Sequence, residues 1–374
     1  MSERTLPVLE VGTIQEEDEE EEEETAVNGE ENREASITIS NFTESSNLLA
    51  EVTKQRLTQK RIAESNIDEG SDTDLELEEE KSEFDMTGKI TYLNVCKQFG
   101  LVPVSYFLRH MTDSSLSLAH HGLGSQGIKA LSYPLMKNTK ILNLDLEDNW
   151  LEGEGGEHIA AMLLENCYIT DLNLANNKLG SKGCEAICRA LQTNVTLKNL
   201  NLSGNDLSGA DSGSISEAFY ENNRLKTVNL SHNNFGHSST DTLAEAISEN
   251  ETIENIDLSW NNFRLKSATV ICDGIATNSR LRVVNLTMNG LGNEGAFGVA
   301  EILKQSGTVT SIDISQNRIG PIGATVIGKA LETNDLLKTL KIGYNPLGIE
   351  GVKCVFKGVC PDASCVTDLD FSVS

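Results

Sequence analysis

The chain is poor in aromatics, in proline and in positive charge, and it holds no long apolar run. Only 5% of its 374 residues are Phe, Trp or Tyr, and six are Pro. No stretch approaches the ~20 apolar residues of a membrane helix, so no membrane span is expected. The start, MSERTLPVLE, lacks a basic region followed by an apolar core, so no secretory signal is expected there either. Lys and Arg number 30 against 57 Asp and Glu, a net charge of −27, which argues against a nucleic-acid partner because phosphates need a basic stripe. The eight cysteines are scattered without a disulfide framework. Cytoplasm is the expected location, with nucleus or cilium as alternatives.

What is present is a period. Asn149, Asn177, Asn205, Asn233, Asn261, Asn289, Asn317 and Asn345 follow one another at steps of 28 residues, the mark of a repeat array. Each sits in a frame LxLxxNxL, as in Leu144, Leu146, Asn149 and Leu151. The paired leucines send side chains to one face of a short strand. The Asn then turns the chain, its amide bonding backbone of the neighbouring turn. A second pattern, LGxxG, follows at Leu179, Gly180, Gly183 and at Leu291, Gly292, Gly295, and leads into an apolar stripe at helical spacing such as Ala186, Ile187, Ala190, Leu191. Asn138, Asn166, Asn194, Asn222, Asn250, Asn278 and Asn334 close the helices, where Asn is expected to take a left-handed conformation. The frame predicts an α/β leucine-rich repeat solenoid of the ribonuclease-inhibitor-like subtype: a horseshoe of 28-residue strand-helix repeats with a parallel sheet on its concave face.

Three segments are expected. Residues 1–88 carry 27 acidic against 7 basic residues, a net −20 of the chain's −27, and too little apolar surface to offset ordering entropy, which predicts a disordered acidic tail. A basic island at 48–62 within it (Lys54, Arg56, Lys60, Arg61) is either a helix formed on binding or a solvated linker. Residues 89–114 hold Tyr92, Phe99, Tyr106, Phe107 and Met111, a helical cap over the first repeat, broken by Pro103. Residues 115–374 are the solenoid. His121 stands in for Asn in its first repeat, and Leu369 lies 29 residues after Leu340 at its last strand.

Apparent catalytic motifs dissolve into the frame. Gly122, Gly124 and Gly127 match GxGxxG between a strand and a helix, but Gly124 and Gly127 are the LGxxG pair of that repeat. Cys184 and Cys188 share one helix face and His120 adjoins His121, and neither makes a zinc set. No nucleophile, base and orienting acid stand out, so no enzyme activity, cofactor, metal or small-molecule substrate is expected. The partner is expected to be a protein on the concave face. The column just before the spine varies most: His120, Asp148, Asn176, Gly204, His232, Trp260, Met288, Gln316, Tyr344. Trp260, Met288 and Tyr344, with His232, are candidate anchors or loosely packed surface residues. Asp145, Glu147, Asp148 and Asp171 are read as an acidic patch. Ser208/Asp211 and Arg264/Ser267 replace both glycines of LGxxG, which predicts two irregular repeats.

The cap segment TYLNVCKQFGLVPVSYFLRHM and the first full repeat, LNLDLEDNWLEGEGGEHIA, resemble the leucine-rich repeat-containing protein 74 family, over about residues 89–374; the repeats alone also resemble those of NOD-like receptors, ribonuclease inhibitor and RanGAP-type proteins. The family resemblance carries no enzymatic activity and implies a protein-binding scaffold. RanGAP-type likeness gives an alternative, regulation of a small GTPase, although in that family the acidic segment follows the repeats. A looser likeness to a subunit of the axonemal dynein regulatory complex gives another, a structural part of a ciliary or flagellar assembly.

Overall fold

A computed structural model describes residues 88–236, 240–360 and 364–372; the acidic segment and its basic island lie outside the described residues. Among them ten strands form one parallel sheet in chain order: β1 (Ser115–Ser117), β2 (Asn143–Asp145), β3 (Asp171–Asn173), β4 (Asn199–Asn201), β5 (Thr227–Asn229), β6 (Asn255–Asp257), β7 (Val283–Asn285), β8 (Ser311–Asp313), β9 (Thr339–Lys341) and β10 (Asp368–Asp370). Register follows the frame, with Leu116 opposite Leu144, Leu144 opposite Leu172 and Leu340 opposite Leu369. Fully burying each such leucine contributes roughly 1.5–3 kcal/mol.

The strands stop after three residues for a local reason. The last residue of nearly every strand is Asn or Asp, and its side-chain oxygen accepts the backbone N–H two residues on: Asn173 from Ala175 at 3.1 Å, Asn229 from Ser231 at 2.9 Å, Asp257 from Ser259 at 2.9 Å. Such Asx turns compete with the ladder and end it.

Two helices, α1 (Lys89–Phe99) and α2 (Ser105–His110), precede the sheet, and one follows each strand through β9: α3 (Gly124–Lys137), α4 (Glu152–Glu165), α5 (Gly180–Leu191), α6 (Ser212–Glu221), α7 (Thr240–Glu249), α8 (Lys266–Thr277), α9 (Gly292–Gln305), α10 (Pro321–Leu331) and α11 (Gly348–Val359). In α5 the buried set Cys184, Ile187, Cys188, Ala190, Leu191 keeps the 3.6-residue period. Between α10 and α11 the backbones touch: a Cβ on Gly358 would lie 2.2 Å from the Gly328 carbonyl oxygen, so only glycine fits. One continuous core runs from Tyr92 to Val355.

The spine Asn residues are the polar complement of that core. Asn205, with none of its surface exposed, donates through Nδ2 to the carbonyls of Leu174 (2.9 Å) and Ser203 (3.2 Å). Its Oδ1 accepts from the backbone N–H of Asn177 (3.0 Å) and Leu179 (3.3 Å) in the preceding repeat. The second Asn column corrects an expectation. Asn138, Asn166, Asn222 and Asn278 are extended, with ψ between 121° and 139°, and not left-handed. Asn is needed there for its amide: Asn166 donates to Leu135 O at 2.7 Å and accepts from Tyr168 N and Ile169 N at 2.8 and 2.9 Å. Ser306, which replaces Asn in this column, keeps the two accepted bonds at 3.4 and 3.2 Å but is too short to reach back to the preceding repeat.

In the cap, Tyr92 and Phe107 meet edge to face at 4.8 Å, both buried, and the Val104 N–H donates to the Tyr92 hydroxyl at 3.1 Å. Left-handed Gly100 ends α1, and Pro103 lies in the break before α2. Tyr106 departs from the expected cap core: it is 38% exposed and stacks on His110 at 4.1 Å.

Replacing Asn205 with Ala strands the buried N–H groups of Asn177 and Leu179, while the Leu174 and Ser203 carbonyls each keep one other donor, and we expect a loss of roughly 1–3 kcal/mol in chemical unfolding; an unchanged midpoint would mean the ladder is dispensable.

Candidate interaction surface

The nine residues just before the spine share one backbone state. His120, Asp148, Asn176, Gly204, His232, Trp260, Met288, Gln316 and Tyr344 all have φ between 50° and 65°. They occupy the turn where the chain leaves the strand, so the column lines the exit edge of the sheet wall and is not part of the strands themselves. The cause is the Asx turn together with the N–H of each column residue, which donates across to the next repeat, as His232 N does to Ser259 O at 3.0 Å and Trp260 N to Thr287 O at 2.8 Å. His, Asp, Asn and Gly tolerate this left-handed region, whereas bulky residues there are outliers. In the first five repeats the column holds only tolerant types. At Gly204 a Cβ would also lie 2.2 Å from Asn176 Oδ1. From the sixth repeat onward the occupants are Trp260, Met288, Gln316 and Tyr344, none of which favours a positive φ.

The structure brings some of the anticipated residues together. His232 and Trp260 stack at 4.9 Å with 15° between their planes. Trp260 and Tyr344 are 46% and 49% exposed, and Met288 is half-buried. Asp145 and Glu147 are gathered through the next repeat's amides: Asn173 Nδ2 donates to Asp145 Oδ1 (2.9 Å) and Glu147 Oε2 (3.2 Å), and Asn176 Nδ2 to Glu147 Oε1 (3.3 Å); the Asp148 carboxylate turns to His120 of the preceding repeat. Asp171 stands apart from this set. It opens β3 where Asp145 closes β2, and it bonds to Thr170 and Asn199 instead.

Two pairs on this edge were missed by reasoning from sequence. His120 bonds Asp148 at 2.9 Å, and that bond, with the nearby acidic groups, raises the His120 pKa above the ordinary imidazole value. Lys178 Nζ lies 4.0 Å from the Trp150 ring centroid, a cation–π contact between residues 28 apart, one position after the spine. The 28-residue spacing of each pair was the available signal.

The GxGxxG segment uses its backbone internally. The Gly124 N–H that a phosphate would need donates to Asn149 O at 2.9 Å, the same bond that Gly180 makes to Asn205 O and Gly292 to Asn317 O. Strongly displaced acidities lie elsewhere: burial pushes Tyr92 and Cys272 up to about 12 and His158 down to about 4. Among the described residues no group of three His, Cys, Asp or Glu side chains is placed to hold a metal, and no helix is long and apolar enough to cross a membrane.

Family models described as leucine-rich repeat match residues 137–160, 165–188, 277–300 and 305–328, and a second such model matches 196–220. The matched segments are leucine-rich repeats. It is similar to human leucine-rich repeat-containing protein 74B, at 37% identity over 76 residues, 20% of this chain and 19% of that protein. The mouse protein of the same name matches at 46% over 50 residues, 13% of each. These relatives agree with the family resemblance, and the matched segments span less than a fifth of either one. Among solved structures, the leucine-rich repeat protein LegL7 of Legionella pneumophila aligns at 18% identity and a TM-score of 0.48, over 74% of this chain and 86% of its own. Leiomodin-1 actin-binding site 2 aligns at 19% and 0.34, over 44% and 91%. The tropomodulin C-terminal domain of Caenorhabditis elegans aligns at 15% and 0.35, over 40% and 92%. At these identities and scores no partner or activity transfers from them.

The raised His120 pKa has a sign that can be checked. The imidazolium–Asp148 pair is fully formed below the ordinary histidine pKa and is lost as pH rises through the raised value. We expect Asp148→Asn to lower the His120 pKa measured by NMR; a His120 pKa unmoved by that substitution would contradict the pair.

Proposed function

We propose that this protein is a non-enzymatic interaction scaffold whose protein partner seats on the exit edge of the sheet wall, with Trp260, Met288 and Tyr344 as anchors and the His232 ring backing Trp260. The observation that carries this reading is the placement of large, exposed side chains at backbone positions that disfavour them. Each such residue costs about 1 kcal/mol in the left-handed region, and Asn, Asp, His or Gly fills the same position in five other repeats without that cost. A strained position that keeps a bulky exposed group points to use of that group.

The scale fits an interface. Strands β6 to β9 span roughly 14 Å at about 4.8 Å per strand, so the three anchors fall inside a patch of ordinary size. Asp145 and Glu147, tied to Asn173 and Asn176, and Asp148, tied to His120, act on association rate and salt dependence more than on holding strength. Asp171 has no part in that cluster. A protein partner is favoured over nucleic acid because residues 89–374 carry a net −7. The cytoplasmic location belongs to the same proposal; free cysteines, with Cys184 and Cys188 unbonded at 3.9 Å, agree with a reducing compartment.

The test uses a partner recovered by proximity labelling with the full chain. Trp260→Ala with Tyr344→Ala should weaken its capture by about 2 kcal/mol or more and leave the melting temperature unchanged. Undiminished capture by the double variant, with capture abolished by substitutions on the exposed helix faces, would place the interface on the helices instead.

A further inference from the structure

The fourth, fifth and sixth repeats depart from the pattern in the same place. In regular repeats the residue after the last frame leucine donates its N–H to the next spine carbonyl, as from Glu152 to Asn177 O and from Gly180 to Asn205 O, at 2.9 and 3.0 Å. At Ser208, Gly236 and Arg264 that bond is lost, and at the first two it is replaced by one running the other way, while the Arg264 N–H turns to Ser267 Oγ. Asn234 N donates to Leu207 O and Asn262 N to Phe235 O, each at 2.7 Å, and Ser208 forms a parallel bridge with Asn234. The chain runs on beside its neighbour for one further step before it turns. The three turns then surround an open cleft of about 430 Å³, lined among others by Ser208, Ala210, Asn234, Asn262 and Arg264. Gly236 belongs to its wall, since a Cβ there would lie 2.2 Å from the Asn262 carbonyl oxygen.

The walls are held by bonds within the turns. Asp211 accepts the Ser208 N–H at 2.7 Å, Ser208 Oγ accepts the Ala210 N–H at 3.3 Å, and Ser267 Oγ accepts the Arg264 N–H at 2.9 Å. Asn234 Oδ1 accepts from Asn262 Nδ2 at 2.5 Å. Among the described residues the Asn234 amide N–H groups and the exposed Arg264 guanidinium have no partner. Donors therefore remain, one of them cationic, and a guanidinium fits a carboxylate as a two-pronged pair. Phosphate is disfavoured because the N–H groups of Ser208, Ala210, Asn234, Asn262 and Arg264 are already bonded. The stacked His232 and Trp260 stand two residues before the lining residues Asn234 and Asn262, across the spine on the same two repeats.

We infer that this cleft receives an acidic side chain of a protein partner, bonded by Arg264 and Asn234, next to an apolar side chain that packs on the His232–Trp260 stack. The inference rests on the proposed exit-edge interface and names what the partner must present there.

The test pans a phage-displayed random heptapeptide library against the full chain and measures selected peptides by fluorescence anisotropy. Parent protein should select Asp or Glu beside a large apolar residue. Arg264→Glu should weaken those peptides at least about ten-fold, the scale of a lost charge-assisted bond, with unfolding unchanged, and should select Lys or Arg instead. Trp260→Ala should relax the apolar preference and keep the acidic one. The same consensus from parent and Arg264→Glu, no enrichment above background, or ATP binding in place of peptides would overturn the inference. Cross-linking separates the two readings: peptides that attach at Trp260 without acidic preference sink the cleft alone, and peptides that attach only to the helices sink the exit-edge interface as well.

Discussion

The Asn ladder is the constraint on which the rest of this structure depends. A short parallel strand followed by a tight turn leaves backbone N–H and carbonyl groups pointing into an apolar core, where each unmade bond costs about 1–3 kcal/mol. One amide per repeat answers both needs: Asn177 donates to Leu146 O and Leu174 O while accepting Asn149 N. Because donor and acceptor lie in different repeats, the bond is also what sets one repeat's height over the next. The helix-closing Asn column does the same on the far side of the core. Two ladders, one at each end of the leucine layer, hold a sheet whose strands are only three residues long.

The same geometry decides where variation is tolerated. Once the spine Asn and the Asx turn fix the strand exit, the residue between them is driven to positive φ whatever its side chain. Evolution of that column is then a choice between conformational ease, as at Asn176 or Gly204, and surface chemistry, as at Trp260 or Tyr344. The irregular turns at Ser208, Gly236 and Arg264 loosen the exit on the other side of the spine and surround an open cleft. Strain and irregularity therefore meet along one edge, at the fifth and sixth repeats.

Much of this was legible in the sequence, because a strict period is a geometric statement. The strand positions, the register through Leu369 and the solenoid class follow from Leu144, Asn149 and their copies. The candidate column was found as a column, but its backbone state was not: φ depends on bonds to the next repeat, which no single copy displays. The helix-closing Asn residues were misread for the same reason, since Asn is common both in left-handed caps and as a bridging amide. Asp171 was grouped with Asp145 by sequence proximity, although the strand separates them by two registers. His120–Asp148 and Trp150–Lys178 become visible only when residues 28 apart are set side by side.

On the proposed reading the bulky residues of the exit edge are held against conformational preference and do not serve the core. The measurement that tests this most directly is the unfolding free energy of Tyr344→Asn, which places at that position the residue type found at Asn176. Tyr344 makes no ring contact among the described residues, so relief of the left-handed strain should stabilise the protein by about 1 kcal/mol. A loss of stability would contradict the claim and make Tyr344 part of the packing.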